Sequence, residues 1–370
     1  MFNRYLFKQI NSDLKKKMVF LGGPRQVGKT TLAKKLLGQH KGYLNWDVPE
    51  HREAILKREL PDSNFLVFDE LHKYKNWRNY LKGLYDDKDK NQKILVTGSA
   101  RLDYYRFGGD SLQGRYHYLR LLPLSVAELD IKNSKDMLDL LKLGGFPEPF
   151  FSSSEVESKR WSREYRQRII NEDLTSLERI HDIGNMQLLL IRLPELVGSP
   201  LSINSLREDM QLSHKTISNW LEILERLYAI FRVSPFGAPK IRAVKKEQKH
   251  YHFDWTLIND ESIKFENMVA VHLLKWVSYM EDTKGSNMEL RYFRDVDGRE
   301  VDFVVTEDNK PSMFIECKWN DAEISKGFKY LKAKFPNVKS WQISAIGKKD
   351  YISMDKIRVC NAVDFLRTLV

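Results

Sequence analysis

Short apolar runs that stop at glycines or acids mark the first hundred residues. Met18 to Leu21 is followed by paired glycines, Phe65 to Phe68 by Asp69 and Glu70, and Ile94 to Val96 by Thr97, Gly98 and Ser99. Runs of this length without polar alternation predict strands covered on both faces, as in a parallel sheet. From 131 to 200 the chain reads as helical, rich in Glu, Arg, Leu and Ile, with Gly-Gly-Phe-Pro-Glu-Pro as a break. Residues 202–210 predict a short helix and 211–213 a turn. Ser213 can then cap a second helix whose apolar face is Ile217, Leu221, Leu224 and Tyr228. Two strand-like runs follow, 229–233 and 250–254. Near the end, Asp297-Gly298 signals a turn into a strand over 300–305 with Glu300, Asp302 and Val304 on one face, and 313–319 reads as another strand, interrupted by Glu316 and Lys318.

The first apolar run leads into Gly23-Pro24-Arg25-Gln26-Val27-Gly28-Lys29-Thr30-Thr31, which has the P-loop spacing. Glycines let the backbone curl so that several N–H groups face one phosphate, and the helix that starts there adds its positive end. Lys29 is placed to reach the β and γ phosphates and the Thr30 hydroxyl to hold Mg²⁺. Asp69 would hold the same ion through water, and Glu70 would orient or deprotonate the attacking water. Thr97 or Ser99 could sense the γ-phosphate, an ordinary strand end with a serine cap being the alternative. Arg115 is a candidate arginine finger if it reaches a nucleotide, and a surface arginine otherwise.

Taken in order, GGPRQVGKTTL, FDELHK, VTGSA, SLQGRYHYLRLLPLS and LGGFPEP resemble a large prokaryotic family of AAA+-type ATPases whose members carry a C-terminal domain of unknown function. The similarity covers nearly the whole chain. It implies a P-loop ATPase core, with Gly28, Lys29 and Thr30 at phosphate and metal, Asp69 and Glu70 as the acidic pair, and Arg115 as the candidate finger. It does not carry over a ring assembly, and a homo-oligomer stays open.

The pattern helix, turn, helix, two strands over 201–255 reads as a winged helix. His214, Lys215, Ser218 and Asn219 would face outward, suited to phosphates or base edges. Lys240, Arg242, Lys245, Lys246 and Lys249 would neutralise phosphates from the wing. A winged helix used only for packing is the alternative.

Strand alternation puts Glu316 and Lys318 on one face and Cys317 on the other. If 300–305 pairs antiparallel with 313–319, Asp302 lies beside Glu316 and Lys318. Asp followed by Glu-x-Lys on a neighbouring strand resembles the PD-(D/E)XK nuclease superfamily. That resemblance implies Glu266 on an upstream helix as a further acid, Mg²⁺ or Mn²⁺ held by Glu266, Asp302 and Glu316, and Lys318 positioning the attacking water. The residue before Asp302 is Val301, where the motif's name has proline. An exposed Glu316–Lys318 salt bridge is the alternative. Lys326, Lys329, Lys332 and Lys334 predict a helix with a cationic face.

Composition narrows the classes. The chain has 370 residues, 42% hydrophobic and 12% aromatic, which argues for folded domains. No apolar run approaches the ~20 residues of a membrane span, and the N-terminus lacks a signal-peptide pattern. Two cysteines make neither a disulfide framework nor a zinc cluster. A cytoplasmic protein without a membrane partner fits. The net charge of +11 points to a polyanion, DNA first and RNA still open. The expected fold is α/β: a P-loop AAA+-type ATPase core (1–130), a helical lid (131–200), a winged helix (201–255) and a PD-(D/E)XK nuclease-like domain (256–370). The expected function is ATP binding and hydrolysis, with DNA association and metal-dependent cleavage. The rivals are a nucleotide-gated switch with a silent nuclease-like domain and a motor acting on proteins.

Overall fold

The computed structural model describes residues 3–89, 91–98, 112–170, 182–237 and 248–370. The chain divides into two compact units, 1–122 and 123–370. Among the described residues no helix is long and apolar enough to cross a membrane.

In the first unit, helix α1 (Phe7–Asp13) leads into β1 (Met18–Gly22) and α2 (Lys29–Leu37). Then come β2 (Tyr43–Asn45), α3 (Pro49–Lys57), β3 (Phe65–Asp69), α4 (Trp77–Asp87), β4 (Lys93–Thr97) and β5 (Tyr116–Arg120). The strands form one sheet in the order β2-β3-β4-β1-β5, with every pairing parallel. β1 and β3 are buried at each position, which is why their sequences do not alternate. Phe20, Phe68, Trp77 and Leu81 belong to one apolar cluster of this unit. Parallel strands end on the same edge, so the loop after β1, Asp69 and Thr97 share the edge where such sheets bind ligands. Two glycines make the exit from β1. A Cβ on Gly22 would meet the Tyr118 hydroxyl at 1.6 Å. Gly23 has φ +131° and a Cβ there would meet the Leu121 carbonyl at 2.1 Å, so no other residue fits.

The second unit begins with helices α5 (Ser134–Leu143), α6 (Pro147–Ser152), α7 (Glu155–Arg168) and α8 (Ile183–Arg192). The helical stretch expected at 131–200 is therefore present, and it groups with the C-terminal part of the chain. Next come α9 (Ile203–Asp209), α10 (His214–Arg226) and the antiparallel pair β6 (Ile230–Pro235) and β7 (Lys249–His252). The long helix α11 (Glu261–Lys284) precedes β8 (Met288–Arg294), β9 (Glu300–Glu307) and β10 (Lys310–Lys318). α12 (Lys326–Lys334), β11 (Lys339–Ser344), β12 (Tyr351–Ile352), β13 (Arg358–Asn361) and α13 (Ala362–Leu366) close the unit.

One sheet of eight strands runs through this unit, β12-β13-β11-β10-β9-β8-β6-β7. The β6–β7 pair joins it because Ser234 and Pro235 pair in parallel with Arg291 and Tyr292. β8, β9 and β10 form an antiparallel meander, and Gly298 (φ +76°) makes the turn into β9 that Asp-Gly signalled. Val304, Phe314, Phe328 and Leu331 pack together between the sheet and α12. At the outer strand, the Asn267 side chain of α11 accepts from the His252 N–H at 2.8 Å and donates to its carbonyl at 2.7 Å. Pro200 forms a bridge to Lys249 on the same strand.

Candidate functional site

The loop between β1 and α2 is shaped by backbone that few residues adopt. Gly28 is left-handed at φ +97° and caps α2, and Gln26 has φ +60°. The Lys29 ammonium donates to the carbonyls of Gly23 (2.9 Å) and Pro24 (2.6 Å) and is 7% exposed. These bonds hold the ammonium against the loop that would receive a phosphate. Pro24, Arg25, Val27 and Thr31 complete the expected loop. Arg4, which belongs to no motif, donates to the carbonyls of Val27 and Leu122 and ties the loop to the segment after β5.

Three hydroxyls converge on the Asp69 carboxylate. Thr30 and Tyr43 each donate to Oδ2 at 2.7 Å, and Thr97 donates to Oδ1. Asp69 is 3% exposed. Threonine from α2, tyrosine from β2 and threonine from β4 thus meet an acid from β3. A carboxylate and a hydroxyl, both hard oxygen donors, suit Mg²⁺. Burial and the bond to Asp69 raise the Tyr43 hydroxyl pKa, so Tyr43 stays a donor. Glu70 is left-handed at φ +57° and its N–H donates to the Thr97 carbonyl at 3.0 Å. Burial pushes the Glu70 carboxyl above its usual range, while Lys29 and Lys73 pull it back. A carboxylate whose proton affinity is raised is better suited to accept a proton.

One expectation for this unit changes. Arg115 precedes β5, whose first residue pairs with Met18 at the start of β1. It therefore lies at the opposite edge of the sheet from the loop, roughly 15 Å away at the rise of a strand. Its guanidinium holds Asp86 at 2.9 Å and 3.2 Å. Within its own chain Arg115 does not reach the phosphate loop. Of the two sensor candidates, Thr97 is fully buried on Asp69, and Ser99 lies outside the described residues.

In the second unit, the Ser213 hydroxyl accepts from the Thr216 N–H at 3.0 Å and caps α10. Ile217, Leu221 and Leu224 are buried, and His214, Lys215 and Asn219 are exposed, with Ser218 half-buried. Lys240, Arg242, Lys245 and Lys246 lie outside the described residues. Lys249 is not a phosphate-facing lysine. It is 1% exposed, and its ammonium sits 2.5 Å from Glu300 and 3.4 Å from Glu266. On α12, Lys326, Lys329 and Lys334 are exposed, but Lys332 turns inward to the carbonyls of Pro336 (2.9 Å) and Val338 (2.6 Å).

β9 and β10 pair antiparallel with Ile315 opposite Phe303, and Asp302 accepts from the Cys317 N–H at 2.7 Å. Asp302 therefore lies beside Glu316 and Lys318, as the pattern required. Lys318 donates to Glu316 Oε1 at 2.9 Å. Glu316 is buried at 5% exposure, so this is no open surface salt bridge, and its Oε2 is buried without a hydrogen-bond partner. Glu266 on α11 accepts from the Tyr251 hydroxyl at 2.7 Å. Burial and the Asp302 charge push Glu266 and Glu316 up to about 7. Burial lowers the Lys249 pKa, but Glu266, Asp302 and Glu300 outweigh it and hold the ammonium charged. The expected metal set of Glu266, Asp302 and Glu316 is not assembled. Among the described residues no three His, Cys, Asp or Glu side chains converge in a way that could hold a metal ion. Lys249 pairs with Glu266 and Glu300, and Lys318 pairs with Glu316.

Residues 15–130 match the family described as AAA domain. Residues 134–264 and 263–362 match two families described as domains of unknown function, DUF8612 and DUF4143. The chain is 24% identical to the uncharacterized protein MJ1544 of Methanocaldococcus jannaschii, over 88% of this chain and 82% of that one. It is 23% identical to the uncharacterized protein Rv2008c of Mycobacterium tuberculosis, over 84% and 73% respectively. Among solved structures, a RuvB variant of Thermotoga maritima aligns at 18% identity and a TM-score of 0.28, covering 62% of this chain and 88% of that one. Unliganded Pif1 from a Bacteroides species aligns at 13% and 0.22, covering 46% and 52%. Both likenesses are too distant to carry a functional statement. What the chain carries between residues 15 and 130, by its family match and by its parallel sheet and phosphate loop, is an AAA-type P-loop ATPase domain.

Proposed function

We propose that this protein binds and hydrolyses ATP with Mg²⁺ at the Gly23–Thr31 loop and engages DNA through the exposed face of α10. The observation that carries the first part is the convergence of Thr30, Tyr43 and Thr97 on Asp69, with Lys29 next to Thr30 and Glu70 next to Asp69 in the chain. Thr30 and Asp69 would hold the ion, which supplies positive charge against the phosphates. Lys29 binds the phosphate oxygens, and Glu70 accepts the proton of the attacking water. Lys29→Ala is expected to lower nucleotide turnover at least ~100-fold, and Glu70→Gln to keep binding while slowing hydrolysis by about as much. Both are read by phosphate release and by nucleotide-binding titration. Two variants that hydrolyse ATP like the parent would refute the assignment.

DNA engagement is supported by the exposure of His214, Lys215 and Asn219 on a capped helix and by the net charge of +11. The arrangement α9, α10, β6, β7 supports reading this region as a winged helix. A gel-shift titration at low salt with no binding would sink this part.

For the C-terminal strands, the second reading is favoured over cleavage. Asp302, Glu316 and Lys318 support a nuclease-like constellation, but the ammonium of Lys249 among its acids supports one that does not cut. ATP turnover would then act as a switch for the nuclease-like part. Incubation of linear, circular, branched and single-stranded DNA with Mg²⁺ or Mn²⁺ decides. Cleavage that disappears in Glu316→Ala rejects the silent reading.

A further inference from the structure

Four carboxylates crowd one end of the β9–β10 pair and the facing part of α11: Glu266, Glu300, Asp302 and Glu316. Crowded, largely buried acids repel and require positive charge or protons nearby. In a metal-dependent site that charge is a divalent ion drawing oxygens to within about 2.0–2.6 Å of itself. Here the chain brings its own. β7 pairs with β6 through Val233 opposite Lys249, and Asn267 and Pro200 pin β7 from its other side. This strand delivers Lys249 with its ammonium 2.5 Å from Glu300 and 3.4 Å from Glu266. Lys318 covers Glu316 from the other side at 2.9 Å.

We infer that the Lys249 ammonium is a tethered cation that takes the place of a divalent metal in this acid cluster, and that Lys249 is the residue that decides against metal binding there. The inference rests on the nuclease-like reading of Asp302, Glu316 and Lys318. Three features of the site agree with it. Lys249 is 1% exposed, whereas a lysine kept for solubility or phosphate contact would reach solvent. Its partners are the acids on α11 and β9 that a metal would recruit, so ion and ammonium compete for the same oxygens. The unpartnered Glu316 Oε2 is the ligand position left over when the ion is replaced by a shorter-reaching group.

The test measures Mn²⁺ uptake by the full chain without nucleotide, using the electron paramagnetic resonance of free Mn²⁺. The parent, Lys249→Met, Glu316→Gln and the double variant are compared, so binding at Thr30 and Asp69 is common to all four. Lys249→Met is expected to take up one Mn²⁺ more than the parent, and the added Glu316→Gln to remove it. Parent uptake that falls in Glu316→Gln overturns the inference, as does a folded Lys249→Met chain with no additional ion. If Lys249→Met does not fold, unfolding temperatures of the parent and Glu316→Gln with and without Mn²⁺ decide. A rise in the parent that Glu316→Gln abolishes overturns the inference; no Glu316-dependent rise supports it. DNA cleavage by metal-loaded Lys249→Met separates the two readings. Metal uptake with cleavage supports both, and uptake without cleavage keeps the role of Lys249 while removing the nuclease-like reading.

Discussion

At Glu316 one carboxylate oxygen is engaged by Lys318 and the other has no partner. Its folded pKa, about 7, lies above the ordinary 4.5. A carboxyl raised on folding stabilises the protein below about pH 4.5 and loses that contribution as pH rises through about 7. Relative to the parent, Glu316→Gln should therefore gain about 1–3 kcal/mol of stability between pH 5 and pH 8. Urea melts of both proteins at the two pH values check this. An unchanged difference would mean that Glu316 does not carry a raised pKa. Single residues were unevenly legible from sequence. Lys29, Thr30, Asp69 and Glu70 follow from spacing, because the phosphate loop is local. Tyr43 and Lys249 do not, because each reaches its acid from a strand distant in sequence, and neither a lone tyrosine nor a lysine in a basic stretch announces a buried partner. Arg115 shows the converse: its candidacy as a finger was readable, but not that it enters β5 at the edge of the sheet away from the loop.

Among the elements, α10 is the most completely encoded. Ser213 supplies the cap and Ile217, Leu221 and Leu224 the buried stripe. Ser213→Ala should cost about 1 kcal/mol by leaving the Thr216 N–H without its acceptor. Urea denaturation measures it, and a loss under a few tenths of a kcal/mol would show that the cap is dispensable. The stop was less legible. Tyr228 continues the apolar spacing, yet the helix ends at Arg226 and Tyr228 adopts φ +56° while still burying its ring. Spacing reports which face is covered; a chain that leaves the helix can keep that side chain inward. The strands β1, β3 and β4 were readable for a related reason. Burial on both faces demands continuous apolar residues, and their shortness and flanking glycines or acids favour strands over buried helix.

For the whole molecule, the parallel sheet of 1–122 could be anticipated, but the eight-stranded sheet of 123–370 could not. β6 joins β8 across residues 236–287, and alternation along a strand does not name its neighbour. Charge is the property that belongs to the full chain. With a net +11, DNA affinity should fall as salt rises, and Lys215→Ala should weaken binding on all sequences and reduce the log–log salt slope by about 1. Fluorescence anisotropy over a salt series checks it; an unchanged slope would remove Lys215 from the interface. A large open sheet also carries a hazard at its margins, since unpaired strand edges template other chains and seed aggregates. Here β12 offers only two residues. On the far side the Asn267 amide occupies both backbone groups of His252. That one side chain, besides fixing β7, denies an incoming strand its first pair of hydrogen bonds and so protects the protein against edge-to-edge aggregation.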